Sequence, residues 1–278
     1  MIARTILLSS VLACRMLAAQ LPTLVQAGGI KFDVLRVGTT VPPTVILEAG
    51  LGNPLDSWAK VWPGLSAFAK VVLYSRAGLG RSTPDSSPTS AQRSVEHLHE
   101  LLAVLHEPPP YILVGKSYGG ILVRLYTSLY PGEVAGLVIV DGSHEQQVQR
   151  WGRLDPKYPS AFAAYFDTLL PQKSGAEAEE LRESIRIQAA GAVAGLRPVP
   201  DIPIAVLTSM QVPAKPAYVN QTAQGHVLWR AMHEEWLRGS HNALHLVTDQ
   251  SGHAMEDDVP DLIVQAVHFV VDRVHGHT

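Results

Sequence analysis

Among the groups in this chain that could attack a carbon, carry a proton or hold a metal, one serine stands apart by its surroundings. Ser117 lies at the centre of Gly115-Lys116-Ser117-Tyr118-Gly119. Before it, Tyr111-Ile112-Leu113-Val114 reads as a buried strand; after it, Ile121 to Tyr130 reads as a helix. A Gly-x-Ser-x-Gly pattern at such a junction describes a nucleophile elbow. The turn is so sharp that side chains two positions either side of the serine would collide, and glycine at both places removes the collision. Ser117 is then expected in strained backbone geometry, hydroxyl outward, above a helix N-terminus that favours developing negative charge. The same five residues could form an ordinary turn. The flanking strand, the amphipathic helix and a third glycine, Gly120, favour the elbow.

Serine attacks only when a base takes its proton. Twelve histidines are available, so position must choose among them. His253, in Ser251-Gly252-His253-Ala254, follows the last strand and precedes the last helix. That is the sheet edge that also carries Ser117, which makes His253 the expected general base. His97 and His99, two apart on a helix, point roughly 200° from each other and cannot share a metal. His226, His233, His241, His245, His268, His275 and His277 read as solvated or structural groups, so no metal site is expected.

A carboxylate should orient the imidazole. Of the two strand ends that could supply it, the later one, Ser209-Met210-Gln211-Val212, has none, whereas Asp141 directly ends Val134 to Val140. Asp141 is therefore the expected acid, with Asp249, Asp257 and Asp258 as alternatives and a helix-capping role as its structural rival. Two backbone N–H groups are expected to hold an oxyanion: Tyr118, next to the serine, and Leu51, in the loop after Thr44 to Leu47 where Gly50 allows close approach.

These residues require a particular scaffold. Thr44 to Leu47, Lys70 to Tyr74, Val134 to Val140, Ile204 to Thr208 and Leu244 to Thr248 are short apolar strands, and Lys31 to Val37 alternates as an edge strand would. Helices are expected over Ala91 to His106, Leu228 to Leu237 and Val259 to Val274. Strands alternating with helices, apolar on both faces, predict an α/β fold with a mostly parallel sheet covered on both sides. Ser143 to about Pro200 breaks the alternation and reads as helical. Phe162, Tyr165, Phe166 and Leu169 share one face there, and Glu177 to Gln188 is a charged helix with a solvated face. Ligands of parallel sheets bind beyond the carboxyl ends of the strands, so this insertion is expected to be a lid.

The 278 residues suit one large domain. Hydrophobic content of 46% with 17% charge excludes a disordered chain, and a net charge of -3 without a basic run disfavours nucleic acid as a partner. The single cysteine, Cys14, lies near the N-terminus. Residues 1 to 27 have no acidic residue, an Arg4 and an apolar run, and read as a signal peptide or N-terminal extension, with cleavage after Ala19 or Ala27. Export to the periplasm or medium is expected; initiation at Met16 would instead keep the chain cytoplasmic. No later stretch is apolar enough to anchor the mature chain in a membrane. The sequence carries no signal for an oligomeric state.

Glu48-Ala49-Gly50-Leu51-Gly52, Arg76-Ala77-Gly78-Leu79-Gly80, the elbow, Val140-Asp141 and Ser251-Gly252-His253 resemble the α/β-hydrolase superfamily over nearly all of residues 28 to 275. The order nucleophile, acid, histidine fits that family. The resemblance implies an eight-stranded, mostly parallel sheet with a helical cap after the sixth strand, and a serine hydrolase needing no cofactor. The expected division is 28–142 and 201–278 for the core and 143–200 for the cap. Lys116 and Glu48 depart from the histidines common there, and the usual acid after the seventh strand is missing. Serine at the elbow disfavours relatives with an aspartate nucleophile. The expected activity is cleavage of an ester, lactone or thioester of a small, largely apolar molecule. The rival is a ligand-binding receptor on the same fold with an idle triad.

Overall fold

The structure is a computed structural model that describes residues 21–276. Its frame is an eight-stranded sheet built from β1 (Thr23–Ala27), β2 (Ile30–Gly38), β3 (Thr44–Glu48), β4 (Lys70–Tyr74), β5 (Tyr111–Lys116), β6 (Val134–Val140), β7 (Ile204–Ser209) and β8 (Ala243–Thr248). The spatial order is β1-β2-β4-β3-β5-β6-β7-β8. β2 runs antiparallel to both neighbours and every other pair is parallel. The helices are α1 (Trp62–Ser66), α2 (Ala91–Val104), α3 (Tyr118–Leu129), α4 (Gln147–Leu154), α5 (Tyr158–Leu169), α6 (Gly175–Ala190), α7 (Ala223–Glu234), α8 (Met255–Asp258) and α9 (Pro260–Val274).

The continuous apolar runs are explained by burial on both sheet faces. Leu113, Ile139 and Val206 pack with residues of α2 and α3 on one side. Their strand neighbours Val114, Val138 and Leu207 pack with α1 and α9 on the other. Each such fully buried aliphatic side chain contributes roughly 1.5–3 kcal/mol. The parallel register also aligns the strand ends: Glu48 pairs with Gly115, Lys116 with Val140, and Val140 with Leu207. Residues just beyond β3, β5, β6 and β7 therefore emerge side by side.

Three local expectations are revised. Thr23–Ala27, read as leader, is edge strand β1, pairing from Thr23 opposite Val34 to Ala27 opposite Ile30. The core thus begins before residue 28, and the strand expected at the edge over 31–37 is an interior strand. Residues 1–20, with the Ala19 site, lie outside the described residues. Finally, α6 keeps exposed charges at Glu179, Arg182 and Arg186, but its Glu180 and Glu183 are buried, at 1% and 6% exposure. The Glu183 carboxylate accepts from the Ala91 N–H at the start of α2, and Glu179 accepts from Thr89.

Candidate active site

The bend after β5 is as tight as its glycines predict. A Cβ on Gly115 would lie 2.4 Å from the Gly119 carbonyl oxygen, and one on Gly119 would lie 2.4 Å from the Glu48 carbonyl oxygen. Between them Ser117 adopts φ +54°, a left-handed conformation costly for a residue with a side chain. The Ser117 N–H donates to the Val140 carbonyl at 3.1 Å, which extends the sheet edge by one step. Lys116, immediately before the serine, pairs at 2.6 Å with Glu256 of α8, tying the bend to the helix that follows His253.

Ser117, His253 and Asp141 meet at this edge. His253 Nε2 lies 2.9 Å from Ser117 Oγ, and Nδ1 lies 2.6 Å from Asp141 Oδ2. An ionised carboxylate only accepts, so Nδ1 carries the proton and donates it, leaving Nε2 to accept from the serine hydroxyl. The other oxygen, Asp141 Oδ1, accepts from the Ser209 N–H at 3.1 Å and from the Trp229 indole N–H at 2.8 Å. Burial by itself would raise the Asp141 carboxyl, but the hydrogen bond and charge of His253, with the nearby His233 and the Trp229 indole, hold it below the usual carboxylate range. The alternative acids are elsewhere: Asp257 pairs with Lys60, Asp258 accepts from Ser251, and Asp249 is exposed.

Leu51 and Tyr118 line the same cavity as Ser117 and His253. This cavity, of about 640 Å³, lies between the strand ends and the helices α4, α5, α6 and α7. One wall is aromatic. Trp151 stacks on Trp229 at 5.1 Å, and Phe162 packs on Phe166 at 4.4 Å. Tyr158, Tyr165 and Tyr218 continue the wall. The polar lining consists of neutral side chains such as Gln147, Gln211 and Gln221, and Asp141 is the one carboxylate among the lining residues, with no Lys or Arg.

Several contributors were invisible to sequence reasoning. Trp229 read as one position of the helix expected over 228–237, and Ser209 as a strand end lacking a carboxylate. His226 and His233 read as solvated or structural, yet His226 lines the cavity. His233 is fully buried, its Nε2–H donating to the Gly142 carbonyl and its Nδ1 facing Thr208 Oγ1. Burial depresses His233 to about 4 despite the nearby Asp141 charge, so it is neutral. The signal that could have flagged Trp229 is chemical: a buried indole needs an acceptor, and a buried carboxylate needs donors.

Residues 43–183 match the family model described as alpha/beta hydrolase fold, about half of the chain. The chain belongs to this family. Among curated relatives, an uncharacterised protein of Bacillus subtilis (strain 168) is 29% identical over 98 residues, 35% of this chain and 39% of that protein. The chain thus spans about two fifths of the length of that relative. Among solved structures, a thermophilic esterase from Thermogutta terrifontis superposes with TM-score 0.62 at 16% identity, covering 91% of this chain and 98% of that one. An enol-lactonase from Burkholderia xenovorans LB400 gives 0.61 at 15%, covering 90% and 100%. At these identities the two structures speak to the fold alone.

Proposed function

We propose that the protein is a serine hydrolase that cleaves a carboxylic ester, lactone or thioester of a small, uncharged and largely apolar substrate. The observation that carries this reading is the Ser117–His253–Asp141 hydrogen-bonded chain opening into an aromatic-walled cavity. Ser117 Oγ attacks the carbonyl carbon while its proton passes to His253 Nε2. The carbonyl oxygen becomes an oxyanion held by the Leu51 and Tyr118 N–H groups. Asp141 stabilises the imidazolium without taking its proton. The intermediate collapses with cleavage of the carbon–oxygen (or carbon–sulfur) bond, and His253 protonates the departing alcohol or thiol. Water, deprotonated by the same imidazole, then attacks the acyl-serine, and acid and free Ser117 are released. The aromatic wall supports an alkyl or aryl substituent, and the insertion between β6 and β7 acts as the cap. The neighbours named esterase and lactonase are compatible with this chemistry.

A fluorophosphonate probe and a series of p-nitrophenyl esters of increasing acyl length test the proposal together. Stoichiometric labelling and ester turnover, both lost in Ser117→Ala, are expected. A wild-type chain that binds esters but neither turns them over nor takes the probe would instead be a receptor.

A further inference from the structure

The Leu51 backbone is held by a buried charge network that the reaction itself does not use. Arg76 follows β4 and is 4% exposed, with its guanidinium beneath the Ala49–Gly52 loop. All five of its N–H donors are engaged. Nε donates to Glu180 Oε1 at 2.5 Å, and Nη1 donates to Glu48 Oε1 at 2.6 Å and to the Ala49 carbonyl at 2.8 Å. Nη2 donates to the Gly50 carbonyl and to Glu180 Oε2, both at 2.7 Å. Glu180 Oε2 accepts in addition from the Gly52 N–H at 2.8 Å. Glu48 is further bonded by the Tyr74 hydroxyl.

Peptide geometry turns these contacts into a statement about Leu51. In a planar trans peptide the C=O and the following N–H point in opposite directions. Fixing the Gly50 oxygen on Arg76 therefore aims the Leu51 N–H away from Arg76. Fixing the Gly52 N–H on Glu180 sets the next peptide plane in the same way. Both peptide units flanking Leu51 are thus held by two side chains, one from the core and one from helix α6 of the insertion. Lysine could not replace Arg76, because it has three donors on a point charge instead of five in a planar fork.

We propose that Arg76 and Glu180 are positioning residues for the oxyanion loop, so that the inserted helix α6 completes the site through Glu180 as well as covering it. This rests on the serine-hydrolase reading above. The test compares Arg76→Lys, Glu180→Gln and Glu179→Gln with the wild type. Each is titrated with the fluorophosphonate so that turnover is counted per reactive Ser117. Losing one oxyanion donor costs about 10²–10³-fold in kcat. A misaimed donor in Arg76→Lys is expected to lower kcat per site by about 30–100-fold, with KM within threefold and the rate of Ser117 phosphonylation reduced in parallel. Glu180→Gln keeps the shape but loses the charge, and is expected to lose about tenfold. Glu179→Gln changes the same helix at a carboxylate bonded to Thr89 and not to the loop, and should stay within twofold. The pH midpoint of kcat should not move, since His253 and Asp141 are untouched. Fewer titratable sites with unchanged kcat per site, or a rise in KM alone, would mean a purely structural network and would overturn the proposal. If Arg76→Lys does not fold, Glu180→Gln decides by the same criterion. A wild-type chain that takes no probe at Ser117 overturns the hydrolase reading instead, which separates the two failures.

Discussion

The two flanks of Ser117 are held by different physics. On one side Asp141 is buried and, among the described residues, is bonded by neutral donors, the Ser209 N–H and the Trp229 indole, and by the His253 imidazole. On the loop side, a permanently charged guanidinium sits between two buried carboxylates and two carbonyls. The contrast fits the two tasks proposed for these flanks. A carboxylate neutralised by a fixed arginine would have little field left for an imidazolium forming beside it, whereas donors without net charge orient it and leave that field intact. The loop proposed to hold the oxyanion moves no proton in that mechanism and needs only a fixed direction, which charge-assisted bonds in the interior supply at full strength. In the proposed mechanism one flank responds to a proton and the other stays still.

The sharpest way to break this contrast is Asp141→Asn. If the acid side works through its charge and through fixing the imidazole tautomer, kcat for an ester falls by about 10⁴-fold with folding retained. Unchanged turnover would detach Asp141 from the reaction. Next in size is a substrate pair. An ester bearing a remote carboxylate would enter a cavity whose lining offers no Lys or Arg to meet it and whose one carboxylate repels it. Its kcat/KM should fall about 10²-fold below that of the uncharged analogue of equal length; equal values would show that the neutral lining does not select. Trp229→Phe removes one of the two neutral donors on Asp141 Oδ1 while preserving the stack on Trp151. A loss of about tenfold in kcat is expected, on the scale of one hydrogen bond to a charged group. The low-pH limb of the rate profile should shift as well, whereas the Arg76 variants leave it in place.

The smallest effect concerns stability. His233, packed on Trp229 behind Asp141, is depressed by burial from the ordinary 6.5 to about 4. The unfolded chain therefore takes up this proton first. The stabilisation is fully present above pH 6.5 and declines as pH falls from 6.5 towards 4, by at most ~1.4 kcal/mol per pH unit. Urea midpoints at pH 7 and pH 5 measure it. A midpoint unchanged over that interval would contradict a neutral, buried His233.

Much of this was legible in the chain because it is local. The elbow follows from steric exclusion within five residues, and the coordinates place each expected clash where a Cβ would stand. The strands follow from apolar runs whose alternate residues fill opposite faces of the sheet. Asp141 was approachable because parallel register sets consecutive strand ends side by side. The leader stretch was harder. Thr23–Ala27 is short and partly exposed, and nothing within it announces the partner that makes it a strand.

By itself, then, the amino-acid order determined the alternation of strands and helices, the bend that bears Ser117, and the side of the sheet on which an imidazole and a carboxylate could join it. Only the tertiary structure decided what surrounds them. Trp229 reaches Asp141 across 88 positions of chain, and Glu180, one charge on a helix read as charged and amphipathic, lies buried against Arg76, 104 positions away. Steric and periodic rules act between neighbours and are written in sequence. A buried polar group takes its meaning from the partner that satisfies it, and that partner is chosen by how distant elements pack.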